Sequence, residues 1–310
     1  HYELPAYELT RMITAREATA EAVVASVLGR IEEKDGQIKA YLAIHRDEAL
    51  ETARKIDRRI AQGEPVGPLA GIPVGVKDAI CTRGLETTCG SRILEGFVPP
   101  YDASVIARLR AADGVIIGKT NMDQFGMGSS NENSGFGTVR NPVDTSRVPG
   151  GSSGGSAAAL AARTAILALG EDTGGSIRQP AAFCGVVGLK PTYGRVSRFG
   201  IIAYGSSFDQ VGPMANNVED CARLLQVIAG HDRRDSTSAP EPVADYLKTL
   251  KHGIERLRVG VPEEYFSVGL DPEIEASVRK AIETLEGLGA QIESVSLPNT
   301  EYAVATYYIL

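Results

Sequence analysis

Apolar residues recur along this chain first at helical spacing and later in short unbroken runs. Val23, Val24, Val27, Leu28 and Ile31 return every three or four positions, the period of one helix face. Thr14-Ala-Arg-Glu17 lies just ahead of them and matches a capping box, so a helix is expected to begin there. Leu50, Ala53, Ile56 and Ile60 predict a second helix over Asp47 to Ala61. The pair is expected to pack on a core, with docking of a partner as the alternative use of their faces.

Beyond a turn-rich connection at 63–71 the period changes. Ile72-Pro-Val-Gly-Val76 is a continuous apolar run and predicts a buried strand ending at Lys77. A helix at Ser104 to Ala112 leads to a strand at Val115-Ile-Ile117, and Ile166 to Leu169 predicts another. Asn217 suits an N-cap for a helix carrying Cys221, Leu224, Leu225 and Ile228. Residues 233–242 are polar and read as a loop. Leu257 to Val261 predicts a strand. Asp271-Pro272 places a cap before a proline at the first helical position, and that helix is expected to bury Ile274, Val278, Ile282 and Leu285. Gln291 to Leu297 alternates as a strand. Helices and strands in alternation favour an α/β sheet. No internal repeat and no clean domain boundary is visible.

The middle of the chain departs from this pattern. Residues 126–205 hold 16 of the 34 glycines and only 11 charged residues. A flexible linker would not also carry Leu-, Ile-, Val- and Ala-rich runs. This stretch is therefore expected to be buried, with a tightly turned backbone of the kind active-site loops need.

Composition narrows the class. Of the 310 residues, 43% are hydrophobic and 23% charged, as in ordinary globular proteins, and the net charge is −7. That balance argues against a general polyanion binder, although a partner could still handle RNA. The four cysteines, at 81, 89, 184 and 221, have no C-x-x-C spacing, so zinc-ribbon and thioredoxin motifs are excluded. No metal site is expected, and free thiols in a reducing cytoplasm are. The opening residues lack the apolar core of a signal peptide. The apolar run from Ala157 to Leu169 is broken by Arg163 and falls short of the ~20 residues a membrane span requires. The chain starts at His1 and stops at Leu310 inside an apolar, tyrosine-rich run, so truncation at the C-terminus is expected.

Three readings compete for Gly150-Gly-Ser-Ser-Gly-Gly-Ser156. A phosphate loop needs G-x-x-x-x-G-K-[ST]; the nearest match ends in Gly118-Lys119-Thr120 but has Asp113 where glycine is required. A nucleophile elbow, G-x-S-x-G, is satisfied around Ser152 and again around Ser153. It should follow a buried strand, whereas residues 141–149 make a poor one. The histidines, at 1, 45, 231 and 252, stand in no motif. The third reading uses a neutral lysine to activate serine. Lys77, at the end of an apolar strand, would be short of solvent, which favours the neutral amine. Alternatively it is a surface lysine at a strand end, and Asp78 beside it could form a local ion pair. Downstream, Thr173, Gly174, Gly175 and Ser176 can form a tight turn whose N–H groups converge on an oxyanion, with Ser176 placed as a nucleophile. The plainer alternative is a turn that only caps a helix.

Together, Lys77, the Gly-Gly-Ser-Ser-Gly-Gly-Ser run and Asp172-Thr-Gly-Gly-Ser-Ile-Arg178 resemble the amidase signature family. The resemblance spans nearly the whole chain and is densest over 65–230. It implies an α/β fold with a mixed central sheet flanked by helices on both faces. It also implies one domain over 1–310, with a helical N-terminal region (1–62) and a signature core (65–230). It further implies a Ser–cis-Ser–Lys triad: Ser176 as nucleophile, Ser152 as bridge and Lys77 as base. Thr173 to Ser176 would supply the oxyanion hole, and Ser153, Asp172 and Arg178 would support it.

Longer matches include Gly71-Ile-Pro-Val-Gly-Val-Lys-Asp78, Asn121-Met-Asp-Gln-Phe-Gly-Met-Gly128 and Gly188-Leu-Lys-Pro-Thr-Tyr-Gly-Arg195. These resemble the branch of the family that serves tRNA-dependent amidotransferases. That likeness implies hydrolysis of L-glutamine without any cofactor in this chain, the ammonia passing to subunits B and C of a cytoplasmic heterotrimer. ATP and Mg would act in the partner's amidation of mischarged Glu- or Asp-tRNA. Tyr307, Gly128 and Ser129 match substrate-binding positions, and further glutamine-binding residues are expected beyond Leu310. A stand-alone amidase on small or acyl amides is the runner-up, and a non-catalytic scaffold is the alternative of another class.

Overall fold

The computed structural model describes residues 1–266 and 269–310. They form two compact units, His1–Leu247 and Lys248–Leu310. The sequence pattern marks no such boundary, because helix and strand periodicity resumes on the far side of the polar loop at 233–242.

The first unit runs α1 (Ala6–Thr14), α2 (Ala20–Ile38), β1 (Tyr41–Ile44), α3 (Arg46–Ala61), β2 (Pro73–Lys77), α4 (Ser104–Ala111) and β3 (Val115–Thr120). It continues with α5 (Gly154–Ala161), β4 (Leu167–Asp172), α6 (Arg178–Cys184), β5 (Val187–Gly188), β6 (Gln210–Ala215) and α7 (Val218–Ile228). The short α8 (Tyr246–Thr249) follows. Six strands make one sheet in the order β1-β3-β2-β4-β6-β5. Its centre, β3-β2-β4, is parallel, while β1, β6 and β5 run antiparallel to their neighbours, so the sheet is mixed. Helices α2, α3, α5 and α7 pack on it. Every residue of β2, β3 and β4 is buried, which is why these strands read as continuous apolar runs. The predicted faces of α2 and α7 form part of the core, and Asn217 caps α7 by accepting the Asp220 N–H.

The predicted start of the first long helix is corrected. Thr14 ends α1, and its hydroxyl donates to the Thr10 carbonyl (2.8 Å). Thr19 is the N-cap of α2, accepting the Ala22 N–H at 3.0 Å. Glu17, which completed the capping-box pattern, instead pairs with Arg11 at 2.7 Å. Spacing alone could not tell a helix end from a helix start.

The second unit holds β7 (Arg258–Pro262), α9 (Pro272–Gly287), β8 (Gln291–Val295) and α10 (Ala303–Ile309). Strands β7 and β8 pair in parallel. Asp271 caps α9 as expected, accepting the Glu273 N–H at 2.8 Å. The expected burial of the α9 face does not occur: Ile274 is 54% and Val278 43% exposed, while Ile282 and Leu285 are half-buried. Only two strands in this unit are available to cover that face among the described residues.

Candidate active site

The parallel register of β2 and β4 sets Val76 opposite Leu169, so the C-terminal ends of the two strands emerge side by side. Open α/β sheets bind ligands at such ends. Lys77 closes β2 and is fully buried, which rules out a surface lysine. Its Nζ donates to Ser152 Oγ at 2.7 Å and to the Glu171 carbonyl at 3.2 Å, and lies 3.6 Å from Glu171 Oε2. The ion pair expected between Lys77 and Asp78 is absent among the described contacts. Asp78 instead faces Lys119 of β3 at 3.3 Å and accepts the Thr88 N–H (2.8 Å) and hydroxyl (2.5 Å). Neighbouring side chains on an extended segment point to opposite sides, so 77 and 78 find different partners.

Ser152 follows Gly151 through a cis peptide and lies just ahead of α5. The segment before it is irregular, and the hydrogen bond to its hydroxyl comes from a lysine, not a histidine. The elbow reading therefore fails on both counts. Ser153, next in the chain, donates from Oγ to the Glu171 carbonyl (3.0 Å) and accepts the Glu171 N–H (3.2 Å). These bonds tie the start of α5 to β4.

Ser176 lies in the turn between β4 and α6 and is half-buried. Asp172, the last residue of β4, organises that turn. Its carboxylate accepts the N–H groups of Gly175 (2.9 Å) and Ile177 (3.0 Å), together with Arg178 Nε (3.1 Å) and Nη2 (3.0 Å). Burial alone would raise the Asp172 pKa; the Arg178 guanidinium and the backbone donors outweigh it and hold the carboxyl below its ordinary range. The Ser153 N–H donates to the Ser176 carbonyl at 3.1 Å, which fastens the two serine-bearing turns together. Among the described residues the Ser176 hydroxyl has no hydrogen-bond partner, nor do the N–H groups of Gly174 and Ser176. Gly175 departs from the expected oxyanion set, because its N–H is turned to Asp172. Thr173 donates its hydroxyl to Asp209 Oδ1 at 2.5 Å.

Gly128 and Ser129 belong to a loop held against the Ser152 turn. Gln179 bridges the two, donating to the Ser129 carbonyl (2.8 Å) and accepting the Gly151 N–H (2.9 Å). Asp123 accepts the Asn131 (3.0 Å) and Asn133 (3.2 Å) N–H groups, and its own N–H donates to the Ser152 carbonyl at 3.3 Å. Sequence reasoning missed both residues. A lone carboxylate in a nearly charge-free, glycine-rich stretch was the available signal for Asp123; Gln179 gave none. Tyr307 belongs to α10 of the second unit, where its ring stands edge-on to Tyr308 at 5.6 Å. Glu171 was likewise missed. Burial pushes its carboxyl up to about 7, against the opposing pull of Lys77.

The fold and the residues matched define an amidase: the chain belongs to the amidase family, whose model matches residues 22–310. More particularly, it is 56% identical over 309 residues to the A subunit of the glutamyl-tRNA(Gln) amidotransferase of Moorella thermoacetica, covering 100% of this chain and 63% of that protein. It is 57% identical to its namesake from Syntrophus aciditrophicus, covering 64% of it. The chain thus spans less than two thirds of the length of these curated relatives. Among solved structures, the A subunit of the glutamyl-tRNA(Gln) amidotransferase from Thermotoga maritima superposes with a TM-score of 0.85 at 42% identity, over 94% of this chain and 61% of that one. The peptide amidase from Stenotrophomonas maltophilia superposes with a TM-score of 0.90 at 37% identity, over 98% and 64%. No helix among the described residues is long and apolar enough to cross a membrane.

Proposed function

We propose that this chain carries the glutamine-hydrolysing centre of a tRNA-dependent amidotransferase, built on a Ser–Ser–Lys triad. The observation that carries the reading is the 2.7 Å hydrogen bond from fully buried Lys77 to Ser152, in a turn fastened to the one bearing Ser176. A neutral Lys77 amine accepts the Ser152 hydroxyl proton while Ser152 accepts that of Ser176. Ser176 Oγ then bonds to the carboxamide carbon, and the negative charge on its oxygen falls to the free N–H groups of Gly174 and Ser176. Collapse breaks the C–N bond, the proton returns along the same relay to the nitrogen, and ammonia leaves. Water completes the cycle by hydrolysing the acyl-enzyme to glutamate.

The names of the relatives support L-glutamine as substrate and a complex that amidates mischarged tRNA, with subunits B and C using ATP and Mg. The net charge of −7 agrees with RNA being bound elsewhere in that complex. A cytoplasmic setting suits the four free, buried cysteines. Tyr307, Gly128 and Ser129 are assigned to substrate binding, and Ser153, Asp172 and Arg178 to support of the triad. The grouping of 1–310 into a single amidase-signature domain belongs to the same proposal. The stand-alone amidase is the second reading, favoured by the superposition on a peptide amidase.

Active-site labelling with a fluorophosphonate, mapped by mass spectrometry, tests the triad. Label is expected on Ser176 and is expected to vanish in Lys77→Ala. Label on Ser152 or Ser153 would overturn the assignment. In the full-length protein, hydrolysis of simple amides with none of glutamine would select the stand-alone amidase. Hydrolysis unchanged in Ser176→Ala would leave the scaffold reading.

A further inference from the structure

The relay from Ser176 through Ser152 to Lys77 leaves one buried ionisable group without a task. Glu171 stands on β4, directly before Asp172, and its side chain is 2% exposed. Its Oε2 lies 3.6 Å from Lys77 Nζ, and Lys77 is equally shut off from solvent. Its Oε1 has no hydrogen-bond partner. A buried carboxylate oxygen left unpaired is costly and rare, so it calls for a reason. Support of the fold is not that reason. The backbone of Glu171 already holds Lys77 and Ser153 through its carbonyl, and Ser153 through its N–H. None of these bonds needs a carboxylate.

We propose that Glu171 is a positioning residue that sets the protonation state of Lys77, by exchanging one proton between Oε2 and Nζ. The inference rests on the reading of Lys77 as the base. When the proton passes, an N–H bond breaks and an O–H bond forms, leaving a neutral amine beside a neutral carboxylic acid. The reverse transfer restores an ion pair, and no other reactant enters. The neutral amine has the lone pair that Ser152 requires; the ammonium has none. In a dry site the uncharged pair avoids the desolvation that two ions would suffer. The carboxyl raised to about 7 by burial agrees with a group that holds its proton near neutral pH.

The surrounding groups leave this task to Glu171. Asp172 on the same strand is engaged by Arg178. Asp209, ahead of β6, accepts from Thr173 Oγ1 and from the Tyr204 and Gly205 N–H groups. Asp123, after β3, faces the N–H groups of Asn131 and Asn133. Asp78 pairs with Lys119, and burial keeps the Cys89 thiol protonated. Among the described carboxylates only Glu171 pairs with Lys77.

The test is an NMR titration of the Lys77 side chain, 13C/15N-labelled and assigned by its loss in Lys77→Ala, in wild type, Glu171→Gln and Glu171→Asp. Gln keeps the shape and removes the charge, so the ammonium loses its counter-ion. The Lys77 midpoint is expected to fall by about one pH unit or more. Asp keeps the charge one methylene further away, and an intermediate midpoint is expected. An unchanged midpoint in Glu171→Gln overturns the proposal. Should that variant not fold, infrared spectroscopy of the wild type decides. A protonated-carboxyl band that titrates with the Lys77 resonance supports the exchange, and a band that never appears overturns it. The pH profile of fluorophosphonate labelling at Ser176 separates the two claims. A Lys77 shift without a matching labelling shift keeps the role of Glu171 and removes Lys77 as the base.

Discussion

Asp123 and Gly151 approach so closely that a methyl group at Gly151 would stand 2.0 Å from Asp123 Oδ2. The same carboxyl closes on Gly128, where a methyl group would meet Asp123 Cγ at 2.4 Å. Asp123 is thus gripped between two glycines, one in the loop with Ser129 and one in the turn that presents Ser152. Backbone, carboxylate and backbone form a clamp with no room for a side chain.

Gly151→Ala is therefore expected to force that clamp apart. Overpacking of this kind costs about 1–3 kcal/mol, so thermal denaturation should show a lower Tm. Labelling of Ser176 should fall with it, because the Ser152 turn moves. A variant that melts and labels like the wild type would show that the clamp yields freely.

The two serines are expected to differ little in their kinetic weight. Groups that act as one relay are strongly non-additive, so Ser176→Ala, Ser152→Ala and the double variant should each lower kcat/KM by at least about 10³-fold, the double no more than the worse single. Steady-state kinetics on an amide by the full-length protein reads this. Additive losses would mean that the serines act separately.

Asp172 makes the stability of the site depend on acid. Its folded pKa lies below the unfolded value of about 3.9. Its contribution is therefore complete above the unfolded value and is lost as pH falls through the folded one. Arg178 is 54% exposed, so the ion pair itself is partly screened and the backbone bonds matter more. Asp172→Asn keeps the shape but cannot accept all of these donors. It is expected to cost about 2 kcal/mol, the scale of hydrogen bonds to a charged group. Urea denaturation at neutral and acidic pH should show the gap between variant and wild type narrowing in acid. A gap independent of pH would mean that ionisation of Asp172 is irrelevant.

The corrected start of α2 is equally open to test. Thr19→Ala should cost about 1 kcal/mol, the value of an N-cap. Thr14→Ala, which removes only an exposed hydroxyl bonded to the preceding turn, should be close to neutral. Chemical denaturation of the pair, with the larger loss at Thr14, would restore the capping-box reading.

Much of the site was legible without coordinates, because its parts are local. Glycines and hydroxyl residues cluster where a turn must present a serine, and Ser152, Ser176 and their neighbours stand out within a few residues of chain. Helix caps at Asn217 and Asp271 are equally local, since a side chain there reaches N–H groups two or three positions ahead. The faces of α2 and α7 follow from the 3.6-residue period alone.

What tertiary structure decided is who meets whom. Lys77 faces Glu171 and not its neighbour Asp78 only because β2 and β4 pair in parallel with Val76 against Leu169. Asp78 finds Lys119 from β3 for the same reason. The apolar stripe of α9 is correctly placed by its period, yet period does not state what covers a face, and Ile274 and Val278 stand exposed. Composition and spacing act over a few residues, and they determined the turns, the caps and the candidate serines. Partners for buried charges depend on strand register between segments far apart in sequence, and only the folded sheet sets it.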